Sequence, residues 1–290
     1  MEDIIINNNM ELQTIYSEAE LKKIQSIQLT CLKEIAQICE RKNVEYFLIG
    51  GSALGAIRHN GYIPWDDDID IAIPRKDYRR FLEIAENELS SLYHVQSPYN
   101  DKHCPYYYSK IRIDNTIFME YCNRNLPIHH GVYVDVFPYD NVPDDDELNK
   151  RHFDRCQKLI RQFAFRQIPD VSCKPQTLRE YMNAIVRRCI HYAYRIIPYS
   201  IILNQLENEF TKYNNTETIG VACLNFPKRK TEYILKRDLY PLVKHRFEDT
   251  EFPVPNNCDA YLTNHYGKYM KLPPKELRYS HKPCKVEIGL

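Results

Sequence analysis

The stretch that decides the fold is residues 47–74, which read FLIGGSALGAIRHNGYIPWDDDIDIAIP. A short apolar run ends in Gly50 and Gly51, a pattern typical of a buried strand that enters a tight turn. Ser52 then opens a short helix that ends at Gly61, and the acidic run that follows leads into a second strand. The predicted order is therefore strand, glycine turn, short helix, acidic loop and strand.

Glycine is concentrated in this stretch. The 290 residues include 8 glycines, whereas about 20 are expected at an average frequency of about 7%. Four of them fall between positions 50 and 61. Glycine lets a backbone turn sharply and approach a ligand closely, and the N-terminus of a helix can hold a phosphate through its free N–H groups. We therefore predict that Gly50, Gly51 and Ser52 bind a phosphate group.

The acidic run predicts a metal site. Asp68 and Asp70 are two residues apart on a predicted strand, so both side chains point to one face. At a spacing of about 6–7 Å, two carboxylates can grip a hard divalent cation between them. Asp66 has the same parity, whereas Asp67 is expected to point the other way. Isoleucines alternate with these acids, which indicates a half-buried strand instead of a solvated loop.

A third acidic residue, Asp135, lies in the apolar run VYVDVF. Burying an unpaired charge is costly, and a metal held by neighbouring carboxylates would offset that cost. Two metal-binding aspartates and a third that activates a hydroxyl form the pattern needed for phosphoryl transfer to an alcohol. Taken singly, the three features are also explained by an ordinary turn, a solvated acidic loop and a carboxylate bonded to backbone. Their combination favours the catalytic interpretation.

The rest of the chain predicts an α+β protein. Apolar residues recur every three or four positions over residues 18–43, which indicates an amphipathic helix. Short strands alternate with helices up to residue 143, and helical patterns dominate from 144 to about 213. A further helix is expected at 257–266. We therefore predict two packed lobes, residues 1–143 and residues 144–290, the second mostly helical.

Composition and the N-terminal sequence bear on compartment and partners. The beginning, MEDIIINNNM, has no basic leader, which argues against a secretory signal peptide. The ten cysteines are scattered without a CxxC pair, as expected for reduced thiols in a cytoplasm. The 39 basic and 39 acidic residues balance, which argues against a nucleic-acid partner. We expect a cytoplasmic protein.

One segment leaves a membrane contact open. Residues 178–203 are apolar and aromatic, with arginines at 187, 188 and 195. This composition suits an amphipathic helix at the inner face of a membrane, near a lipid-linked acceptor. The alternative is core packing of the helical lobe, which we favour here because apolar residues cover more than one helix face.

Three blocks of the sequence resemble the LicD family, a branch of the nucleotidyltransferase superfamily that includes fukutin-type proteins. The first is FLIGGSALGAIRHNGYIPWDDDIDIAIPRKDYRRF, the second GVYVDVFPYD, and the third FPVP followed by YLTNHYGKYMKLPP. The blocks occur in the family's order and span about residues 20–275. The resemblance implies a nucleotidyltransferase-like mixed β-sheet flanked by helices, with the catalytic lobe in residues 1–143.

The resemblance also implies an activity. Family members are taken to move a phosphorylated alcohol, typically phosphocholine from CDP-choline, onto a glycan hydroxyl. By resemblance, Asp68, Asp70 and Asp135 take the metal-binding and catalytic places, and Gly51 and Ser52 form the phosphate-binding turn. The expected partners are a CDP-linked alcohol and a cell-surface or lipid-linked glycan, with Mg²⁺, or Mn²⁺ in its place, as the cofactor and CMP as the product.

Basic and aromatic residues complete the predicted site. Arg58, Lys110 and Arg112 are candidates to contact the diphosphate, although a solvated strand face or salt bridges would explain them equally well. The chain has 23 tyrosines, and an aromatic cage commonly holds a quaternary ammonium group. Tyr62, Trp65 and residues 106–108 are near the predicted site in sequence. Core packing is the ordinary explanation for them.

Two other functions remain open at this point. The glycine turn and the paired aspartates fit equally well a nucleotidyltransferase that places a nucleoside monophosphate on a small molecule or protein. A non-catalytic binding module descended from such enzymes is a third hypothesis. It is disfavoured because all three carboxylates are present. The sequence favours a phosphotransferase for substituted phosphate groups.

Overall fold

The first helix matches the sequence prediction. The computed structural model describes residues 16–278 and 280–289 of the chain. Helix α1 (Glu18–Lys42) begins with a capping box at Ser17, in which side chain and backbone N–H groups are satisfied reciprocally. Its apolar side chains, spaced three and four residues apart, are buried in the main core.

A mixed β-sheet of seven strands forms the centre of the molecule. The described residues contain eleven strands, of which seven belong to this sheet. In chain order they are β1 (Phe47–Leu48), β2 (Asp70–Pro74), β3 (Tyr93–Gln96), β4 (Ser109–Ile113), β5 (Thr116–Met119), β6 (Tyr133–Val142), β7 (Gly220–Ala222), β8 (Tyr233–Leu235), β9 (Val243–Phe247), β10 (Thr250–Val254) and β11 (Lys285–Ile288). The main sheet has the order β1-β2-β6-β4-β3, and β7 and β8 extend it from β6. Strands β2 and β6 are parallel, and the other neighbours are antiparallel.

Two helices of the first half position the predicted site. Helix α2 (Gly50–His59) follows β1 directly, so its N-terminus lies at the end of that strand. Helix α3 (Arg75–Glu88) follows β2 and buries one apolar face against the sheet and α1. The glycine turn and the acidic run therefore lie at the same end of two paired strands.

Helices dominate residues 146–210, as predicted for 144 to about 213, whereas the rest of the lobe that was predicted to be mostly helical also contains strands β7–β11. Helix α4 (Asp146–Gln167) packs against α5 (Leu178–Arg195) and α6 (Tyr199–Phe210) around a second core. That core contains Phe163 and Phe210. Strands β7 and β8 come from this half and pair onto the end of β6. The lobe boundary at residue 143 stays a prediction.

The C-terminal part returns to the predicted site. The short helix α7 (Lys236–Leu239) precedes the β9–β10 hairpin, and helix α8 (Cys258–Tyr266) confirms the helix predicted at 257–266. Helix α8 and strand β9 both pack against α2. Strand β11 pairs with β5. The fold class is α+β, as predicted.

Helix α5 differs from the core-packing interpretation of residues 178–203. Pro198 separates α5 from α6, and His191 is the buried residue of α5. Most apolar side chains of α5 are exposed. The interpretation is wrong for this helix because its docked face is narrow, and most apolar residues fall outside it. Within the described residues, no helix combines the length and hydropathy that a membrane span needs.

Candidate active site

The glycine turn lies directly against two of the predicted carboxylates. Gly50 has a φ of 52°, in the left-handed region that favours glycine. A Cβ atom on Gly50 would lie 3.2 Å from Asp70 Oδ2, and one on Gly51 would lie 2.6 Å from Asp66 Oδ2. The second distance is too short for a side chain to fit without displacing Asp66. Glycine at these positions therefore lets the carboxylates approach the N-terminus of α2.

A buried hydrogen-bond network supports this turn from the C-terminal part of the chain. The backbone N–H of Gly50 donates to the hydroxyl oxygen of Tyr261 at 2.7 Å. The hydroxyls of Tyr261 and Tyr139 donate in turn to Glu232, at 2.7 and 2.5 Å. Sequence reasoning missed this network, because its members lie far from the turn in the chain and belong to no local motif.

Ser52 links the turn to the strand that carries Asp70. Its hydroxyl oxygen accepts a hydrogen bond of 2.9 Å from the backbone N–H of Asp70, and its side chain is buried. Ser52 therefore holds the beginning of β2 against the first turn of α2. Together, the two glycines and Ser52 fix the distance between the helix N-terminus and the acidic strand.

The sheet register aligns three of the predicted residues in one row. Asp70 of β2 is opposite Asp135 of β6, and Asp135 is opposite Lys110 of β4. The Lys110 Nζ lies 2.7 Å from one oxygen of Asp135 and 3.0 Å from the other. Both side chains are nearly inaccessible to solvent. The burial of Asp135 is thus offset by a cation from the neighbouring strand.

The prediction of a strand through the acidic run is correct only from Asp70 onward, because β2 begins there and residues 66–69 form a loop that precedes it. Asp66 and Asp68 still lie near Asp70: burial raises the pKa of Asp70, and the charges of Asp68 and Asp66 contribute to the rise. Asp67 has partners of its own: its carboxylate accepts hydrogen bonds from Tyr16 and from His281, the latter at 2.8 Å. Asp67 therefore connects the acidic loop to Tyr16, just before α1, and to the C-terminal tail.

Burial and mutual repulsion raise the pKa values of the carboxylates. Burial raises the pKa of Asp70 well above its ordinary value, and the charges of Asp68 and Asp135 raise it further. Burial likewise raises the pKa of Asp66 well above its ordinary value, with Asp68 as the next contribution. Burial raises the pKa of Asp135, and Lys110 opposes the rise. Such a buried cluster of like charge is electrostatically suited to receive a cation.

His281 is a neighbour of the cluster that sequence reasoning missed. Burial opposes protonation of His281, but its hydrogen bond to Asp67 and the nearby charge of Asp68 raise its pKa to about 9. Its Nδ1 lies 3.7 Å from Asp68 Oδ2. Among the described residues, the donor group within 4.8 Å consists of Asp67, Asp68 and His281. The Nδ1 atom of His281 is engaged in the hydrogen bond to Asp67, so the carboxylate oxygens are the better ligands.

The cluster opens into a cavity of about 410 Å³. Five of the predicted residues line it: Gly51, Arg58, Asp66, Asp68 and Asp70. Tyr266, Lys268, Tyr269 and Lys271, from the end of α8 and the segment after it, line it as well, and we call Arg58, Lys268 and Lys271 the basic wall. The cavity lining therefore combines acidic and basic side chains, as a metal-bound diphosphate requires.

Two predicted basic residues occupy different surroundings. The guanidinium of Arg58 lines the cavity and donates to the backbone carbonyl of Tyr269 at 2.6 Å. Arg112 is buried and donates to Gln96 at 3.0 Å and to the carbonyl of Gly131 at 2.9 Å. The structure thus brings Arg58 to the cavity, whereas the donors of Arg112 are engaged within the sheet.

The aromatic candidates also separate. Trp65 lines the cavity, and the guanidinium of Arg278 lies 5.0 Å from its ring centroid. Tyr62 is buried and donates to the carbonyl of Gln25. Tyr107 belongs to the second core. Trp65 is therefore the one of these three that can contact a bound head group directly.

Comparisons with known proteins agree with this architecture. The family model described as "LicD/FKTN/FKRP, nucleotidyltransferase domain" matches residues 43–186. The chain is 28% identical to the lipopolysaccharide cholinephosphotransferase LicD of Haemophilus influenzae over 267 residues, which cover 90% of this chain and 95% of that protein.

Shorter matches extend the comparison. The human ribitol 5-phosphate transferase FKRP is 45% identical over 68 residues, which cover 22% of this chain and 14% of that protein. An uncharacterised protein of Rickettsia typhi is 30% identical over 128 residues, which cover 43% of this chain and 39% of that protein. Of these three matches, the one to the Haemophilus protein extends over nearly all of both chains.

Proposed function

The chain belongs to the LicD family, and on that premise we propose that it transfers a phosphorylated alcohol onto a hydroxyl of a glycan. It is a phosphotransferase for substituted phosphate groups. The observation that carries the proposal is the 28% identity to a lipopolysaccharide cholinephosphotransferase over 90% of this chain. The donor we propose is CDP-choline, the transferred group phosphocholine, and the released product CMP. The acceptor is a cell-surface or lipid-linked glycan.

The acidic cluster fits a hard divalent cation. Its donors are carboxylate oxygens, which Mg²⁺ and Mn²⁺ prefer. The turn at Gly50, Gly51 and Ser52, called the cradle below, fits as well, because a side chain on Gly51 would occupy the space beside Asp66. We assign Asp68 and Asp70 as ligands and Asp135 as the third acidic residue. A bound Mg²⁺ would neutralise charge on the donor diphosphate.

The chain's own residues have separable tasks in the transfer. The N–H groups at the start of α2, at Gly51 and Ser52, bind phosphate oxygens. Arg58, Lys268 and Lys271 hold the diphosphate from the basic wall. Both contacts orient the phosphorus atom for attack from the acidic side of the cavity.

The proposed transfer forms one bond to phosphorus, breaks another and moves one proton. The acceptor hydroxyl oxygen forms a bond to the phosphorus of the phosphocholine group, and the bond from that phosphorus to the bridging oxygen of CMP breaks. Asp135 takes the hydroxyl proton, or completes the metal site while another carboxylate takes it. The ion pair with Lys110 orients the Asp135 carboxylate in either role.

The test is a screen of CDP-linked donors for Mg²⁺-dependent release of CMP in the presence of a glycan acceptor. CDP-choline is the expected substrate. CDP-ethanolamine, CDP-glycerol and CDP-ribitol are each tested in a separate parallel reaction. CTP and ATP test the alternative nucleotidyltransferase activity, which would release pyrophosphate. The proposal fails if no CDP-alcohol is turned over, or if Asp70→Asn is as active as the native protein.

A further inference from the structure

Helix α5 presents an apolar stripe to solvent. The exposed apolar side chains of α5 and of the turn that follows it are Leu178, Tyr181, Met182, Ile185, Val186, Tyr192, Ile196 and Ile197. Leu178 and Ile196 are 82% and 83% exposed. Ile201 on α6 is exposed as well. The stripe of α5 is on the side that a water-facing helix ordinarily fills with polar residues.

The spacing of these residues places them on one face. At about 100° per residue, these positions fall within about half of the helix circumference, so they form one stripe along α5. The opposite face is docked onto the protein: His191 is buried, and Arg187 donates to the carbonyls of Ile168 and Ala164 at 3.1 and 2.8 Å. The apolar face is therefore turned away from the protein.

Positive charge borders the stripe on both sides. At about 100° per residue, Arg179 lies about a quarter turn from the middle of the stripe on one side, and Arg188 and Arg195 lie about a quarter turn from it on the other. Residues 171–203 contain five basic side chains and one acidic side chain, Glu180, in a chain of zero net charge. That glutamate is used in the capping box at the start of α5.

We propose that α5 lies in the plane of an anionic phospholipid surface and anchors the protein there. An apolar stripe flanked by arginines inserts its side chains among the acyl chains while the guanidinium groups reach the lipid phosphates. The helix has 18 residues, or about 27 Å at about 1.5 Å per residue. Because α5 lacks the hydropathy needed to span a bilayer, a position in the surface plane suits it better than a transmembrane one.

Charge favours a lipid surface over a second copy of this chain. A symmetric dimer through α5 would bring arginines of both copies to the border of one apolar interface, where like charges repel. Phosphate head groups offer the complementary charge along the whole stripe. The proposal does not rest on the phosphotransferase chemistry, because lipid binding is measured without donor or acceptor.

The test is flotation of the full chain with vesicles of phosphatidylcholine alone or phosphatidylcholine mixed with phosphatidylglycerol. The native protein is expected to float with the mixed vesicles and to be released by salt. The double substitution Ile185→Gln and Ile196→Gln is expected to weaken binding by about tenfold or more, because it removes two apolar side chains from the inserted face. The matched control, Leu92→Gln with Ile219→Gln, changes two exposed apolar residues elsewhere and should bind like the native protein.

A second pair of substitutions tests the charge. Arg179→Gln with Arg195→Gln is expected to remove most of the preference for phosphatidylglycerol, while Arg188 keeps its ion pair with Asp170 at 2.8 Å. Circular dichroism checks that every variant folds. The proposal is overturned if the native protein does not float, or if the α5 double variant floats like the control. It is also overturned if the native protein is a dimer that only the α5 variant dissociates and no vesicle is bound.

Discussion

The acidic cluster and helix α5 depart from ordinary burial in opposite directions. Asp135 is 6% exposed among apolar strands, whereas Ile196 at the end of α5 is 83% exposed. A buried carboxylate is stable only with a partner, and an exposed apolar stripe is stabilised when something covers it. Lys110 accounts for part of the charge in the cluster. This contrast underlies the two proposals, a cation with a phosphate at the acidic cluster and a lipid surface at α5.

Asp70→Asn is expected to have the largest effect. Removing one of the two proposed metal ligands should cost about 4 kcal/mol of transition-state stabilisation, or roughly a thousandfold in CMP release. Because the substitution also removes a carboxylate from a repelling cluster, the free energy of unfolding should not fall. The control is Asp154→Asn on the exposed surface of α4. Equal activity of the two variants contradicts the assignment.

Lys110→Met tests whether the cluster needs its internal cation. Removing one member of a buried ion pair is expected to destabilise the fold by about 3 kcal/mol, because Asp135 is left without its partner. The double variant Lys110→Met with Asp135→Asn should recover much of that loss. Urea denaturation measures both. If the double variant is less stable than the single one, Asp135 is not the group that Lys110 stabilises.

Gly51→Ala tests whether the cradle needs glycine at position 51. The added Cβ would lie 2.6 Å from Asp66 Oδ2, so Asp66 must move, and we expect CMP release to fall by about tenfold to a hundredfold. Removing the obstacle in Gly51→Ala with Asp66→Ala separates the steric effect from the loss of Asp66 itself. The cradle hypothesis is wrong if Gly51→Ala has native kinetics.

Lys268→Gln with Lys271→Gln tests the basic wall. The expected result is a KM for the donor raised by about tenfold with little change in kcat, because these side chains contact the diphosphate in both ground and transition states. Lys275→Gln, which lies beyond the cavity-lining residues, is the control. A fall in kcat without a change in KM would place the lysines in the chemical step.

The smallest effect is expected at α5. Because Ile185 and Ile196 are exposed, Ile185→Gln with Ile196→Gln should change the free energy of unfolding by about 0.5 kcal/mol or less. Turnover of a water-soluble acceptor should also be unchanged. A large loss of stability would mean that the stripe packs against the protein, and the contrast with the acidic cluster would disappear.

The local parts of the site were predictable from the sequence. The glycine turn and the strand that begins at Asp70 follow from patterns among neighbouring residues. The same patterns extended the strand to Asp68, but residues 66–69 form a loop. The catalytic and metal-binding roles of these residues stay predictions.

The remote contributions were not predictable. His281 is 214 residues from Asp67 in the chain, and its contact with Asp67 depends on where the C-terminal tail packs. Lys268 and Lys271 lie in a block whose family likeness was visible, but no spacing rule aims their side chains at the acidic strand. Arg112 has the parity of Lys110, yet its guanidinium is held by Gln96 and Gly131.

The α+β class and the order of strand, glycine turn, acidic loop and strand follow from the amino-acid sequence. These depend on hydrophobic periodicity and on glycine and proline chemistry, which act over a few residues, while the family follows from the resemblance of three longer blocks. The tertiary structure alone places Asp70, Asp135 and Lys110 in one row, since strand register is set by packing between distant segments. It also decided which face of α5 is exposed, because an amphipathic pattern defines a face but not what covers it.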